Sequence, residues 1–145
     1  MLKTKLLHPE ILSALARSGH FSRVLIGDGN YPVASRSNPA AVKVFLNLMP
    51  GVVKTTEVLE ALLDTIVVQE AAIMQVPDGA EAPVIAEYRA ALPAGIEMKS
   101  LERYAFYDAV SSPDTTLIIL TGDTRRFANL LLTIGVVKTA SPIVA

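Results

Sequence analysis

Two apolar runs in this sequence break at the same dipeptide: Arg23-Val-Leu-Ile-Gly27 runs into Asp28, and Thr115-Thr-Leu-Ile-Ile-Leu120 runs into Thr121-Gly122-Asp123. Short apolar, β-branched runs bounded by turn residues predict buried strands, and Gly-Asp predicts a turn at the C-terminal end of each. Helical periodicity flanks them. Pro9 to Ser18 places Ile11, Leu12, Leu15 and Ala16 at helical spacing ahead of a Gly19 stop, and Thr55-Thr56-Glu57 opens a helix through Asp64 with Val58, Leu59, Leu62 and Leu63 inward. Two more helices are predicted, from about Glu81 to Leu92 and from Glu102 to Val110, the latter stopped at Ser111-Ser112-Pro113. Further strands are expected over Ala41–Leu48, part of Thr65–Val76, and Ile96–Lys99 as an edge. Asn129–Ile134 fits a strand or a helix equally, since a short apolar run has no decisive period; Gly135 ends it. Such alternation implies a three-layer α/β/α sandwich with a central, mostly parallel or mixed sheet covered on both faces.

At 145 residues and 51% hydrophobic content, the chain can bury one core but not two. Residues 1–138 are therefore expected to form a single domain, with 139–145 as a flexible tail. Thirteen Lys and Arg against 14 Asp and Glu give a net charge of −1, too little field to hold a polyphosphate backbone, so nucleic acid is not the expected partner. The longest uncharged stretch, Phe127–Val137, has 11 residues, short of the ~20 that span a bilayer as a helix, and no membrane partner is expected. Without Cys there is no disulfide, thiolate nucleophile or Cys-bound zinc, and Met1–Lys5 lacks a signal-peptide core, so the cytoplasm is the expected location. A mean hydropathy of +0.42 is high for so small a chain, and points to self-association.

Ligands of open α/β sheets gather beyond the carboxyl ends of strands, where Asp28 and Asp123 fall. Each also reads as a simple turn closer. His20 follows the Gly19 helix stop and carries the side chain best suited to exchange a proton near neutral pH, while His8, at a helix start, is read as exposed. Two histidines 12 positions apart and no Cys offer no metal-ligand spacing, so no metal is expected. Phosphate-loop and Gly-x-Ser-x-Gly patterns are absent, and no nucleotide cofactor is expected. Arg103-Tyr104-Ala105-Phe106-Tyr107 reads either as core aromatics beside a surface Arg or as a wall for a polyhydroxylated ligand, and Arg125 and Arg126 read as solvated.

Ser18-Gly19-His20, Ile26-Gly27-Asp28, Arg103 to Tyr107, Leu120-Thr121-Gly122-Asp123, Phe127-Ala128-Asn129-Leu130-Leu131-Leu132 and Gly135-Val136, in this order and spacing, resemble the ribose pyranase and fucose mutarotase family. The resemblance covers nearly the whole chain, and the Arg-aromatic segment is more similar to the fucose branch. It implies a cofactor-free enzyme that interconverts anomers or ring forms of a free monosaccharide, L-fucose or a related aldose. It also implies a ring-shaped homo-oligomer with sites between neighbours, a decamer being one form such a ring takes. Carried over residue by residue, His20 matches the acid/base histidine and Asp28 the sugar-binding aspartate that assists it. Arg103 matches a sugar-binding position, and Phe127, Ala128 and Asn129 match the late binding segment. Phe127 stands where the family usually carries Tyr, Phe21-Ser22 follows His20 where Gly or Thr and then Asp is usual, and Asn30 and Ala34 occupy a loop that carries histidines in the fucose branch. A sugar-binding module without turnover is the alternative reading, and a purely structural ring-forming protein a third.

Overall fold

The computed structural model describes residues 1–140; the remainder of the expected tail, residues 141–145, lies outside the described residues. The elements follow in the order α1 (Pro9–Arg17), β1 (Arg23–Gly27), β2 (Val42–Phe45), α2 (Thr55–Leu63), β3 (Val68–Met74), α3 (Val84–Ala91), β4 (Met98–Leu101), α4 (Arg103–Ser111), β5 (Thr115–Leu120) and β6 (Leu130–Ile134). The six strands form one mixed sheet in the order β2-β5-β1-β6-β3-β4. β6 is antiparallel to both of its neighbours, β1 and β3, while β1–β5, β2–β5 and β3–β4 are parallel. Five strands therefore end on one edge of the sheet, and β6 begins there.

Alternate side chains on each strand feed two cores. Val24, Ile26, Leu117, Ile119, Leu130 and Leu132 pack with Ile11 and Leu15 of α1, Leu59 and Leu62 of α2, and Ile85 and Tyr88 of α3. Leu25, Ile118, Leu120 and Leu131 point to the other face, against Phe106 and Val110 of α4 and against Tyr31 and Val33. The sheet is thus sandwiched between three helices on one side and one helix plus a loop on the other, as the alternation of elements predicts. No helix among the described residues is long and apolar enough to cross a membrane.

The ambiguous run Asn129–Ile134 becomes β6, whose five residues are all buried. Its lack of period follows from its position: an interior strand covered on both faces has no polar side to alternate with. Boundaries shift elsewhere for local reasons. β2 stops at Phe45, short of Leu48, because the chain turns there: Leu48 N donates to Leu46 O and Gly51 N to Gly122 O. α3 starts at Val84 and not at Glu81, because Pro83 biases the preceding Ala82 away from helical dihedrals and is itself the N-cap. β4 pairs from Met98 to Leu101, two residues beyond the expected edge strand. His8 is half-buried, not exposed, because its Nδ1 accepts from Ile11 N and caps α1.

Candidate functional site

The edge on which β1, β3 and β4 end and β6 begins carries a cavity of about 490 Å³, lined by Asp28, Asn30, Tyr31, Met74, Arg103, Tyr107, Arg126, Phe127 and Asn129, among others. Four separate segments converge there: the turn after β1, the end of β3, the start of α4, and the loop entering β6. Such a volume suits a small molecule.

Asp28 is held at the floor of this cavity with 2% exposure. Its Oδ1 accepts from Asn30 N at 2.9 Å and its Oδ2 from Ala128 N at 3.3 Å, while its own N–H donates to Asn129 Oδ1 at 2.9 Å. Burial pushes the Asp28 carboxyl above its ordinary value, opposed by the N–H groups of Asn30 and Ala128 and reinforced by the nearby charge of Asp123. The same bonds fix the 127–129 segment. Asn129 presents its carbonyl oxygen to the backbone, which leaves its NH₂ group to donate to a ligand. Phe127 sits in the left-handed region at φ 59°, where non-glycine residues are uncommon, and contributes an aromatic face without a hydroxyl. Ala128, named with them from the sequence, does not line the cavity. Its side chain is fully buried in the core, because β6 starts two residues on and turns it inward, and it serves the site only through its N–H to Asp28.

Arg103 and Tyr107 lie one helical turn apart at the N-terminal half of α4, and both line the cavity, whereas Phe106 is fully buried in the core and Tyr104 is exposed. The aromatic stripe thus divides by helix face, one part packing the core and another lining the cavity. The sequence pattern does not single out Tyr31, Met74 or Arg126 as cavity residues, and Asn30 enters there only through the resemblance, in a loop that carries histidines in the fucose branch.

Asp123 serves a different purpose. It is buried, and its Oδ2 accepts from Thr55 N at 3.0 Å and Thr55 Oγ1 at 2.9 Å, which satisfies the free N–H at the start of α2. Arg125 donates to it from N, Nε and Nη2, and reaches Glu87 on α3 with Nη1. Burial works against this charge, but the Arg125 guanidinium and the Thr55 and Arg125 N–H groups overcome it and hold the Asp123 carboxyl well below the usual range. Arg125 is accordingly an anchoring ion-pair residue and not a solvated one. Tyr88, wholly buried on α3, extends this network to the cavity: its hydroxyl lies 2.6 Å from Thr55 Oγ1 and donates to the carbonyl of Ala128. The adjoining turn tolerates no side chain at Gly122, where a Cβ would collide with the carbonyl oxygens of Val52 and Met49.

His20 is not in this cavity. It lies before β1, at the opposite end of the strand from Asp28; the four residue steps of Arg23–Gly27 alone span roughly 13 Å. Its surroundings belong to the other edge of the sheet. His20 Nε2 pairs with Gln69 Oε1 at the start of β3 (2.8 Å), and its ring stacks on Phe21 at 3.8 Å. Phe21 N donates to Ile134 O at the end of β6. An orientation of His20 by Asp28 within one chain is excluded by this separation. Phe21, Val67, Val136 and Val137 are all exposed around this end.

A mixed α/β sheet with a carboxylate, an amide, guanidinium groups and aromatic faces gathered beyond its strand ends has the donors, acceptors and apolar faces that suit a small polyhydroxylated molecule. The chain belongs to the RbsD / FucU transport protein family, which it matches over residues 1–137. It is 33% identical to human fucose mutarotase over 141 residues, covering 90% of each chain. It is also 31% identical to D-ribose pyranase of Variovorax paradoxus (strain S110) over 142 residues, covering 94% of this chain and 98% of the relative. Its fold superimposes with a TM-score of 0.79 on Bacillus subtilis RbsD complexed with D-ribose, at 22% identity over 95% of this chain and 100% of the other. Both branches of the family are thus represented, so the lean of the Arg103–Tyr107 segment toward the fucose branch is a modest one.

Proposed function

We propose that this protein is a monosaccharide mutarotase that interconverts the anomers or ring forms of a free aldose, L-fucose or a close relative, without cofactor. The observation that carries this reading is the convergence of Asp28, Arg103, Phe127 and Asn129 on one sugar-sized cavity, in a chain of this family. Its relatives named fucose mutarotase and D-ribose pyranase support the class of reaction.

Ring opening removes the proton of the anomeric hydroxyl, breaks the bond between C1 and the ring oxygen, and adds a proton to that oxygen; closure on either face of the carbonyl reverses each step. Asp28 accepts the hydroxyl proton, a task favoured by burial that raises its basicity. His20 delivers the proton to the ring oxygen, and because it lies at the far end of β1, it comes from a neighbouring subunit. Arg103 and the Asn129 amide bind the remaining hydroxyls, and Phe127 stacks on the apolar face of the pyranose. The exposed Phe21, Val67, Val136 and Val137 around His20 are the apolar surface that such a ring-shaped oligomer covers.

The competing reading, a sugar-binding module without turnover, is favoured by the missing hydroxyl at Phe127. Saturation-transfer NMR on a panel of free aldoses separates the two. Accelerated exchange between anomers, lost in His20→Ala, supports the mutarotase; ligand binding without acceleration on any aldose supports the module instead.

A further inference from the structure

His20 is held more firmly than an exposed side chain needs to be. Gly19 to Ser22 form a turn closed by Ser22 N, which donates to Gly19 O at 3.1 Å, with His20 and Phe21 at the two central positions. Phe21, the second of these, has φ 70°, where glycine is the ordinary occupant and a bulky aromatic is an outlier. Such a backbone persists where its surroundings dictate it. Here Phe21 N donates to Ile134 O at 3.0 Å, and the Phe21 ring stacks on the His20 ring at 3.8 Å with 18° between their planes.

The neighbouring strand holds the same ring from its edge. In the β3–β6 ladder Val68 faces Ile134 and Glu70 faces Thr133, so two steps of β3 oppose one of β6 and Gln69 is the extra residue of a bulge. Bulges re-aim a side chain, and Gln69 Oε1 lies 2.8 Å from His20 Nε2. Gly135 leaves it room, since a Cβ there would stand 3.0 Å from Gln69 Cβ. An amide oxygen only accepts, so Nε2 carries a proton, and among the described residues Nδ1 has no hydrogen-bond partner. Both residues belong to one chain, so the pair forms before any neighbour arrives. A bond this exposed is weak in water, and it strengthens once a neighbouring subunit covers Phe21, Val67, Val136 and Val137 and excludes water.

We propose that Gln69 is the positioning residue of the acid/base histidine: it keeps the neutral ring protonated at Nε2, so that Nδ1 is the nitrogen that trades protons with the sugar of the neighbouring subunit. This inference rests on the mutarotase reading and adds to it the atom that acts and the residue that selects it. As the bond between C1 and the ring oxygen breaks, its electron pair takes the Nδ1 proton of the imidazolium while Asp28 takes the anomeric proton. The ring left behind is the Nε2–H form that Gln69 already binds, and closure returns the proton to Nδ1. Without Gln69 the imidazole can turn over and exchange tautomers, and only part of the population presents Nδ1 to the sugar.

The test joins ring-nitrogen NMR to kinetics. Selective ¹⁵N-histidine labelling yields two ring systems, His8 and His20, which His20→Ala tells apart. At about pH 9, where an imidazole of ordinary pKa is neutral, wild type is expected to show a protected His20 proton on Nε2. Gln69→Met, similar in length but without the acceptor, should lose that resonance and lower kcat about tenfold, the scale of one hydrogen bond, with KM for L-fucose or D-ribose within about twofold. Gln69→Glu keeps an acceptor and should restore both the resonance and most of kcat. A wild-type proton on Nδ1, or none protected on either nitrogen, overturns the proposal without recourse to any variant. So does a Gln69→Met protein, assembled as wild type by sedimentation, that keeps both the resonance and kcat. If wild type exchanges no aldose, the mutarotase reading fails, and the ring-nitrogen spectra still decide whether Gln69 sets the protonated nitrogen.

Discussion

Asp28 and His20 stand at opposite ends of β1, one on the floor of a cavity and the other on an exposed edge stacked against Phe21. A single subunit cannot bring both to one sugar. The acid/base chemistry proposed for this protein therefore depends on assembly, and the dependence can be measured.

His20→Ala and Asp28→Asn are each expected to abolish exchange catalysis when assayed alone. Mixed and reassembled in equal amounts, they should regain about one quarter of wild-type activity, because random neighbours then pair an intact Asp28 with an intact His20 at one interface in four. Sedimentation of the wild type should show an assembly well above the 15.5 kDa of one chain. A stable, fully active monomer would contradict both expectations.

Tyr88 touches no cavity surface, yet its hydroxyl joins Thr55 to the Ala128 carbonyl, and the Ala128 N–H holds Asp28. Tyr88→Phe keeps the packing and leaves that buried carbonyl short of a donor, a loss of about 1–3 kcal/mol in unfolding free energy. As a positioning residue, Tyr88 should also affect ligand binding: KM for the sugar is expected to rise in a Tyr88→Phe protein that remains folded by circular dichroism. An unchanged KM would restrict Tyr88 to a structural role.

The two buried aspartates should respond to pH in opposite senses. Asp28 has a folded-state pKa above its ordinary value near 3.8, so its protonated form is the one that folding favours. The stability of wild type relative to Asp28→Asn should therefore grow as pH falls through the raised folded pKa of Asp28, and level off below 3.8. Asp123 is depressed, so its contribution is fully present above 3.8 and is lost as pH falls toward its folded value. Relative to Asp123→Asn, wild type should lose its advantage in acid. Urea denaturation of the three proteins across about pH 3 to 7 measures both slopes, and slopes of the same sign would refute the assignment.

Much of the fold is legible in the sequence because the two Gly-Asp strand ends and the amphipathic helices are local patterns. Val24–Ile26 and Leu117–Leu120 are strand-forming by composition, and Ile11, Leu15, Leu59 and Leu62 mark their helices by spacing. β6 is not legible, because burial on both faces erases the alternation that distinguishes strand from helix. Of the candidate site, Asp28, Arg103, Phe127 and Asn129 can be named from the sequence and do line one cavity. The two Gly-Asp motifs look alike in sequence, however, and only their neighbours in space make one a cavity floor and the other the anchor of α2.

The sequence alone determined most of the strands, the helices, the family resemblance and the candidate residues, since these depend on side-chain pattern along a continuous stretch. The tertiary structure decided how the charges are shared. Arg125, read as solvated, is turned inward to Asp123 because α2 and α3 bring Thr55 and Glu87 alongside it, whereas its neighbour Arg126 is left at the cavity mouth with no carboxylate among the described residues. Adjacent residues in the chain thus have opposite electrostatic fates, and the separation of His20 from Asp28 along β1 is likewise a consequence of strand direction. Both depend on which segments the sheet order β2-β5-β1-β6-β3-β4 places side by side, a long-range relationship that no local pattern encodes.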